Sequence, residues 1–313
     1  ASWRARFGLP MALAATIVAV GAFVAAQSGE QLEDAFRDLA KAAGHRLQLG
    51  SRRDYEPGEL GRYGLGLKTA SISQCRRLTV LSRHAISYRR IASKTLDLAH
   101  IDRTDRWELI DPPDDSQSAG HAWLQHGPGT VVLWEDLDRV LPEKRPEGGW
   151  ARRRLEQLGD RSSEYLGMVF HRFVSGDARR VTIAVNGRPV KAWDPFQRQH
   201  PATKPMGRVR LRLRGSAITV TPWVLPHRDR FANDAEYTAA GGPGAWAARQ
   251  GFYVYRGDRR LVGGSWLGLG GSRAWTREEA SRLARIEVDL PTDLDDEWRI
   301  DVRKFQARPP GEL

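Results

Sequence analysis

Three glycines fall within six positions in the run Gly61-Arg62-Tyr63-Gly64-Leu65-Gly66-Leu67-Lys68-Thr69-Ala70-Ser71. Without a Cβ, glycine adopts backbone conformations closed to other residues and lets the chain approach a ligand closely. Such a run reads as a turn that opens a helix, and amides free at a helix start attract an anion. Thr69, Ala70, Ile72, Ser73 and Cys75 continue it with small residues that suit close packing on a sheet. Arg77 to Arg83 then alternates as a strand does. The run is not a P-loop. Counting G-x-x-x-x-G-K-[ST] from Gly61 and Gly66 requires lysine at 67, where Leu67 stands. No strand immediately precedes it, only Asp54, Glu56, Pro57 and Gly58. On the residues alone it is either a tight turn or a phosphate cradle.

At 313 residues the chain has room for about two domains. A single cysteine, Cys75, excludes a disulfide framework and any multi-cysteine zinc site. None of the eight histidines has metal spacing; His121 and His126 lie five apart beside Pro128. There is no G-x-S-x-G elbow. The formal charge is +11, and lysine supplies only seven of the 49 basic residues. That balance suits a polyanion partner and equally suits an arginine-rich surface.

Further along, Gly129 to Trp134 reads as a strand and Glu164 to Phe173 as a helix with an apolar stripe. Val181 to Val190 is a hairpin turning at Asn186-Gly187, and Gly251 to Val262 repeats that pattern around Gly257-Asp258. Arg285 to Leu290 and Trp298 to Phe305 close the chain as two strands. The acidic clusters Asp111 to Asp115 and Asp293 to Glu297 read as solvated loops. Val209 to Arg214 alternates apolar residues with arginine. Arg208, Arg210, Arg212 and Arg214 therefore share one face, with a charge about every 7 Å, suited to a nucleic-acid backbone or to plain solvation. Pro142, Pro146, Gly148 and Gly149 mark a linker.

The stretch Leu60 to Ser71 resembles the second glycine box of the GHKL ATPases, in the manner of MORC-like and MutL-like bacterial ATP-binding proteins. Gly129-Thr130-Val131-Val132-Leu133-Trp134 resembles their later Gly-Thr box, and Gly50-Ser51 the end of their ATP lid. The resemblance implies an α/β (α+β) fold: a partial Bergerat-type two-layer sandwich over residues 1–140, a linker over 141–160 and a transducer-like domain over 161–313. It implies ATP as ligand. Gly61, Arg62, Gly64, Leu65, Gly66, Lys68 and Thr69 would lie at the phosphates and Thr130 toward the base, with Lys304 reaching the terminal phosphate. In relatives, dimers clamp on DNA, so the expected partners are DNA and a second copy, in the cytoplasm, with no stable membrane partner.

The departures bear on chemistry. Family members place magnesium with an Asn and the attacking water with a Glu on an early helix. The only asparagines here are Asn186 and Asn233, and no glycine before Gly61 has an Asp two residues ahead of it. Without those groups hydrolysis loses its metal and its oriented nucleophile, so magnesium is doubtful and turnover weak or absent. The chain opens at Ala1, which suggests a processed or shortened product. Arg4 and Arg6 precede an apolar run, Leu9 to Ala26, open to three readings: a buried strand, a secretory signal or a marginal membrane span. Leu32, Ala35, Phe36, Leu39 and Ala43 then fall at helical spacing.

Overall fold

The computed structural model describes residues 66–83, 91–125, 127–141, 149–176, 181–270, 273–300 and 307–311. The chain divides into two compact units, with the later boundary between Asp160 and Arg161. The apolar run at 9–26 and the helix expected over 29–44 lie outside the described residues. Among the described residues, no helix is long and apolar enough to cross a membrane.

In the first unit, helix α1 (Gly66–Ile72) leads through a turn into β1 (Arg77–Arg83). Strand β2 (Ala92–Asp97) runs straight into helix α2 (Leu98–Thr104). Asp97 makes this join: its side chain accepts hydrogen bonds from the amides of Ala99 and His100 and pairs with Arg77 at 3.0 Å. Burial works against the Asp97 charge, but Arg77 and those two amides outweigh it and hold the carboxyl below its usual range. Helix α3 (Asp114–Leu124) carries Asp114 and Asp115 in its first turn, where they complement the helix dipole. Strand β3 (Gly129–Glu135) completes an antiparallel sheet of order β2-β1-β3. Leu78 pairs with both Leu96 and Trp134, and Ser82 with Thr130.

Strand β1 is central, so Leu78, Thr79, Val80 and Leu81 are all buried, and the alternation expected there becomes burial on both faces. Leu78, Val80, Leu96, Val132 and Trp134 pack with Leu67, Ile72 and Cys75, which places α1 on their face. Leu81, Val131 and Leu133 pack with Leu124 of α3 on the other. The sheet thus has a helix on each side.

Helix α4 (Gly149–Val169) begins inside the stretch read as a linker, so residues 149–160 are helical. In the second unit a kink at Phe170 separates α4 from helix α5 (His171–Ser175). Strands β4 (Ala184–Val185) and β5 (Arg188–Pro189) form the expected hairpin, with Asn186 and Gly187 at φ 52° and 75°. Next come β6 (Lys204–Pro205), β7 (Val209–Leu213) and β8 (Ser216–Val224). Helices α6 (Asp234–Gly241) and α7 (Ala245–Ala248) precede β9 (Gly251–Arg256), β10 (Arg259–Ser265) and β11 (Ala284–Leu290). The sheet runs β10-β9-β11-β8, and β6 and β7 share the free edge of β8.

One face of this sheet is apolar: Ile218, Val254, Val288 and Leu290 meet Leu294, Trp298 and Ile300. Trp298 and Arg299 lie in a turn instead of the expected strand, because Trp298 folds back onto this core; residues 301–306 lie outside the described residues. Asp295, read as part of a solvated loop, is buried and pairs with Arg256 at 2.6 Å. The mixed α/β class is as the sequence implies.

Candidate functional site

Strand parity determines which residues surround α1. Val132 and Trp134 pack on the α1 side of the sheet. Side chains two apart share a face, so Thr130 looks to that side as well. Its hydroxyl lies 3.0 Å from that of Ser82, directly opposite on β1. At the other end of β3, the Trp134 indole donates to the Ser71 hydroxyl at 2.9 Å. Ser71 is fully buried, so the small residue lets the helix lie close to the strand. Cys75 donates to the Ser71 carbonyl, and burial pushes its thiol up to about 11.

Of the residues expected at the phosphates, Gly66 opens α1, and Lys68 and Thr69 follow on its half-buried and exposed sides. Gly61, Arg62, Gly64 and Leu65 lie outside the described residues, as does Lys304. Thr130 stands on the α1 side of the sheet. Both asparagines are in the second unit: Asn186 occupies the hairpin turn, and the Asn233 side chain caps α6 by accepting from the Glu236 amide. The first unit itself contains no asparagine. Among the described residues, no group of three His, Cys, Asp or Glu side chains could hold a metal ion.

The opposite face of the three-stranded sheet holds a polar cluster that the sequence did not reveal. The Ser116 hydroxyl shares its one proton between the two Glu135 carboxylate oxygens, at 2.8 and 2.9 Å, and Glu135 also accepts from Thr79 at 3.3 Å. Thr79 meets Thr95 at 2.8 Å. These hydroxyls satisfy one another and fasten α3 to the sheet, away from Thr130.

A second unforeseen cluster lies within the second unit. Arg172 of α5 donates to Glu287 and Asp289 at 2.6 Å and to Asp258 at 3.0 Å, with its guanidinium 3.7 Å over the Tyr255 ring. Glu287 also accepts from Arg198 and from the Trp223 indole. Burial disfavours the Arg172 charge, but Asp289 and Glu287 hold its pKa above the usual arginine value. Beside them His171 meets the Tyr255 hydroxyl at 2.8 Å. Burial, followed by the charges of Arg198, Arg172 and Arg260, pushes His171 down to about 3, so it is neutral at physiological pH. The one signal in the sequence was the placing of Glu287 and Asp289 between Ile286, Val288 and Leu290.

Arg208, Arg210 and Arg212 are exposed along the free edge of the large sheet. Arg214 leaves the row: it sits in the β7–β8 turn at φ 49° and pairs with Glu297 at 3.2 Å.

Residues 30–130 match the family described as "Histidine kinase-, DNA gyrase B-, and HSP90-like ATPase". This segment belongs to the GHKL ATPase superfamily. The match ends at Thr130, so it spans the glycine box, α1, the central strand and the start of the Gly-Thr strand. ATP is the ligand of that superfamily. A comparison with curated proteins finds no match.

Proposed function

We propose that this chain is an ATP-binding GHKL protein of the MORC- or MutL-like kind, in which nucleotide binding governs association with DNA. One observation carries the reading: Thr130 and the glycine-box helix α1 stand on the same face of one sheet. The hydroxyls of Thr130 and Ser82 offer hydrogen bonds to the base edge. On this reading Gly66, Lys68 and Thr69 contact the phosphate chain. When bound, ATP supplies a polyanion that orders the residues around it. The chain's own residues support binding rather than turnover, because the unit that carries the glycine-box helix α1 contains no asparagine, and no metal step follows from them. A second reading, a basic DNA-binding or assembly scaffold that has lost hydrolysis, is favoured by the exposed arginines of β7. The two differ in whether ATP changes DNA affinity.

Thermal unfolding of the whole chain with and without ATP, in magnesium and in chelator, tests the nucleotide reading. ATP at about a hundred times its Kd should stabilise by about 2.7 kcal/mol. Thr130→Val should weaken binding about threefold to tenfold, the worth of one hydrogen bond. Gly66→Val should weaken it further. A midpoint unchanged by millimolar ATP in both buffers would overturn the reading.

A further inference from the structure

We infer that the β6–β7 edge is a contact surface for the phosphodiester backbone of duplex DNA, and that it holds the backbone without reading bases. The inference rests on the DNA-associated part of the proposed function and is independent of the nucleotide part. Strand β7 pairs with β8 alone, so its outer side is open. Arg210 and Arg212 stand opposite Thr219 and Ala217, and Leu211 and Leu213 turn to the core side. Arg208 directly precedes the strand and is exposed like the other two. At the rise of an extended strand, the three charges lie about 7 Å apart over roughly 14 Å.

Like Arg188 and Arg230, the three lack a carboxylate partner among the described residues, but they stand in a row along one strand edge, unlike the neutralised arginines of this unit. Arg172, Arg198, Arg214, Arg228, Arg256 and Arg282 each have a carboxylate partner. Among the described residues, Arg208, Arg210 and Arg212 have none. Their charge is not neutralised internally, on a chain whose formal charge is already +11.

The edge is poorly suited to another occupant. Lys204 pairs with Val224 but Val209 with Val220, so the register slips by one residue between β6 and β7. That slip and Pro205 both hinder the addition of a further strand. Single-strand sites use aromatic side chains as stacking platforms, and residues 204–213 include no aromatic. No helix N-terminus lies within the row, and only the short link 206–208 between β6 and β7 interrupts the edge. What is left is a line of guanidiniums, which suits phosphates and carries no sequence information.

The test is anisotropy of a labelled short duplex with the full chain, titrated with salt in the presence and absence of ATP. Three phosphate contacts contribute about −2.7 to the slope of log K against log salt, or ~40-fold between about 50 and 200 mM. Replacing Arg208, Arg210 and Arg212 together by Gln should remove about that much slope for two unrelated sequences alike, and replacement by Lys should retain it. Gln at Arg152, Arg153 and Arg161, on α4, removes the same charge and should leave the slope within about one unit. Equal losses from both Gln triples would show an effect of net charge only and overturn the interface. A wild-type slope kept by the β7 triple would also overturn it and leave the DNA reading standing. Tighter binding of a single strand than of the duplex would overturn the choice of occupant. No binding by the wild type would remove the interface and the DNA reading together.

Discussion

Replacing Arg172 by Met should destabilise the second unit by about 3 kcal/mol, the low end for breaking a buried ion pair. Arg172 and Glu287 are 7% and 6% exposed, so the guanidinium and its main partner are both out of water. Asp289 and Asp258 are less affected, because their side chains are about two-fifths exposed and regain water when the cation goes. Glu287 cannot do so. It keeps Arg198 and the Trp223 indole, which is why the expected cost lies at the low end of the range. For a unit of this size, about 3 kcal/mol lowers the melting midpoint by roughly 6–12 °C. Differential scanning calorimetry of the whole chain reads it directly. Arg152→Met, which breaks the exposed Arg152–Glu156 pair on α4, should cost under about 1 kcal/mol. Adding Glu287→Gln to Arg172→Met should cost less than the sum of the two single changes, since both single changes break the same ion pair. A midpoint for Arg172→Met within about 2 °C of wild type would refute the reasoning, because the cluster would then be no better than a surface pair.

Other outcomes follow from the same geometry. The His171 pKa is depressed from 6.5 to about 3 in the fold. The unfolded chain therefore binds the extra proton first, and stability present above pH 6.5 falls as pH drops toward 3. In urea melts, His171→Gln should flatten that decline while keeping a partner for Tyr255; an unchanged decline would show that other groups cause it. Cys75 is 1% exposed with its thiol pushed up to about 11, so a thiol reagent at neutral pH should label it only after denaturation. Prompt stoichiometric labelling of the native chain would contradict that burial.

Several elements could be read directly because local chemistry decides them. Asn186-Gly187 and Gly257-Asp258 turn two hairpins with positive φ at both central residues, a conformation few residue pairs favour. The Gly-Thr strand and the small-residue helix after the glycines were legible for similar reasons. The end of the chain was not. Trp298 and Ile300 have strand spacing, yet they cover the apolar face of a sheet whose strands start some eighty residues earlier. Asp295 sits in an acidic run that looks solvated, and only the fold brings Arg256 to it. Arg214 continues the arginine alternation in sequence, but the two-residue turn rotates it out of the row. The linker residues lost their Pro and Gly markers after Gly149, and helix α4 begins there.

The sequence by itself carried the GHKL likeness of residues 30–130, through a glycine box whose spacing excludes a P-loop, and it shows no asparagine ahead of Asn186. Those are properties of residue type and order, and they do not depend on distance through space. Only the tertiary structure decided that Thr130 shares a face with α1 and that Glu135 points away from it. It alone showed that Glu287 is buried against two arginines. The reason is that a strand's neighbours are set by hydrogen-bonded pairing between distant segments, and one residue of register turns every side chain to the opposite face.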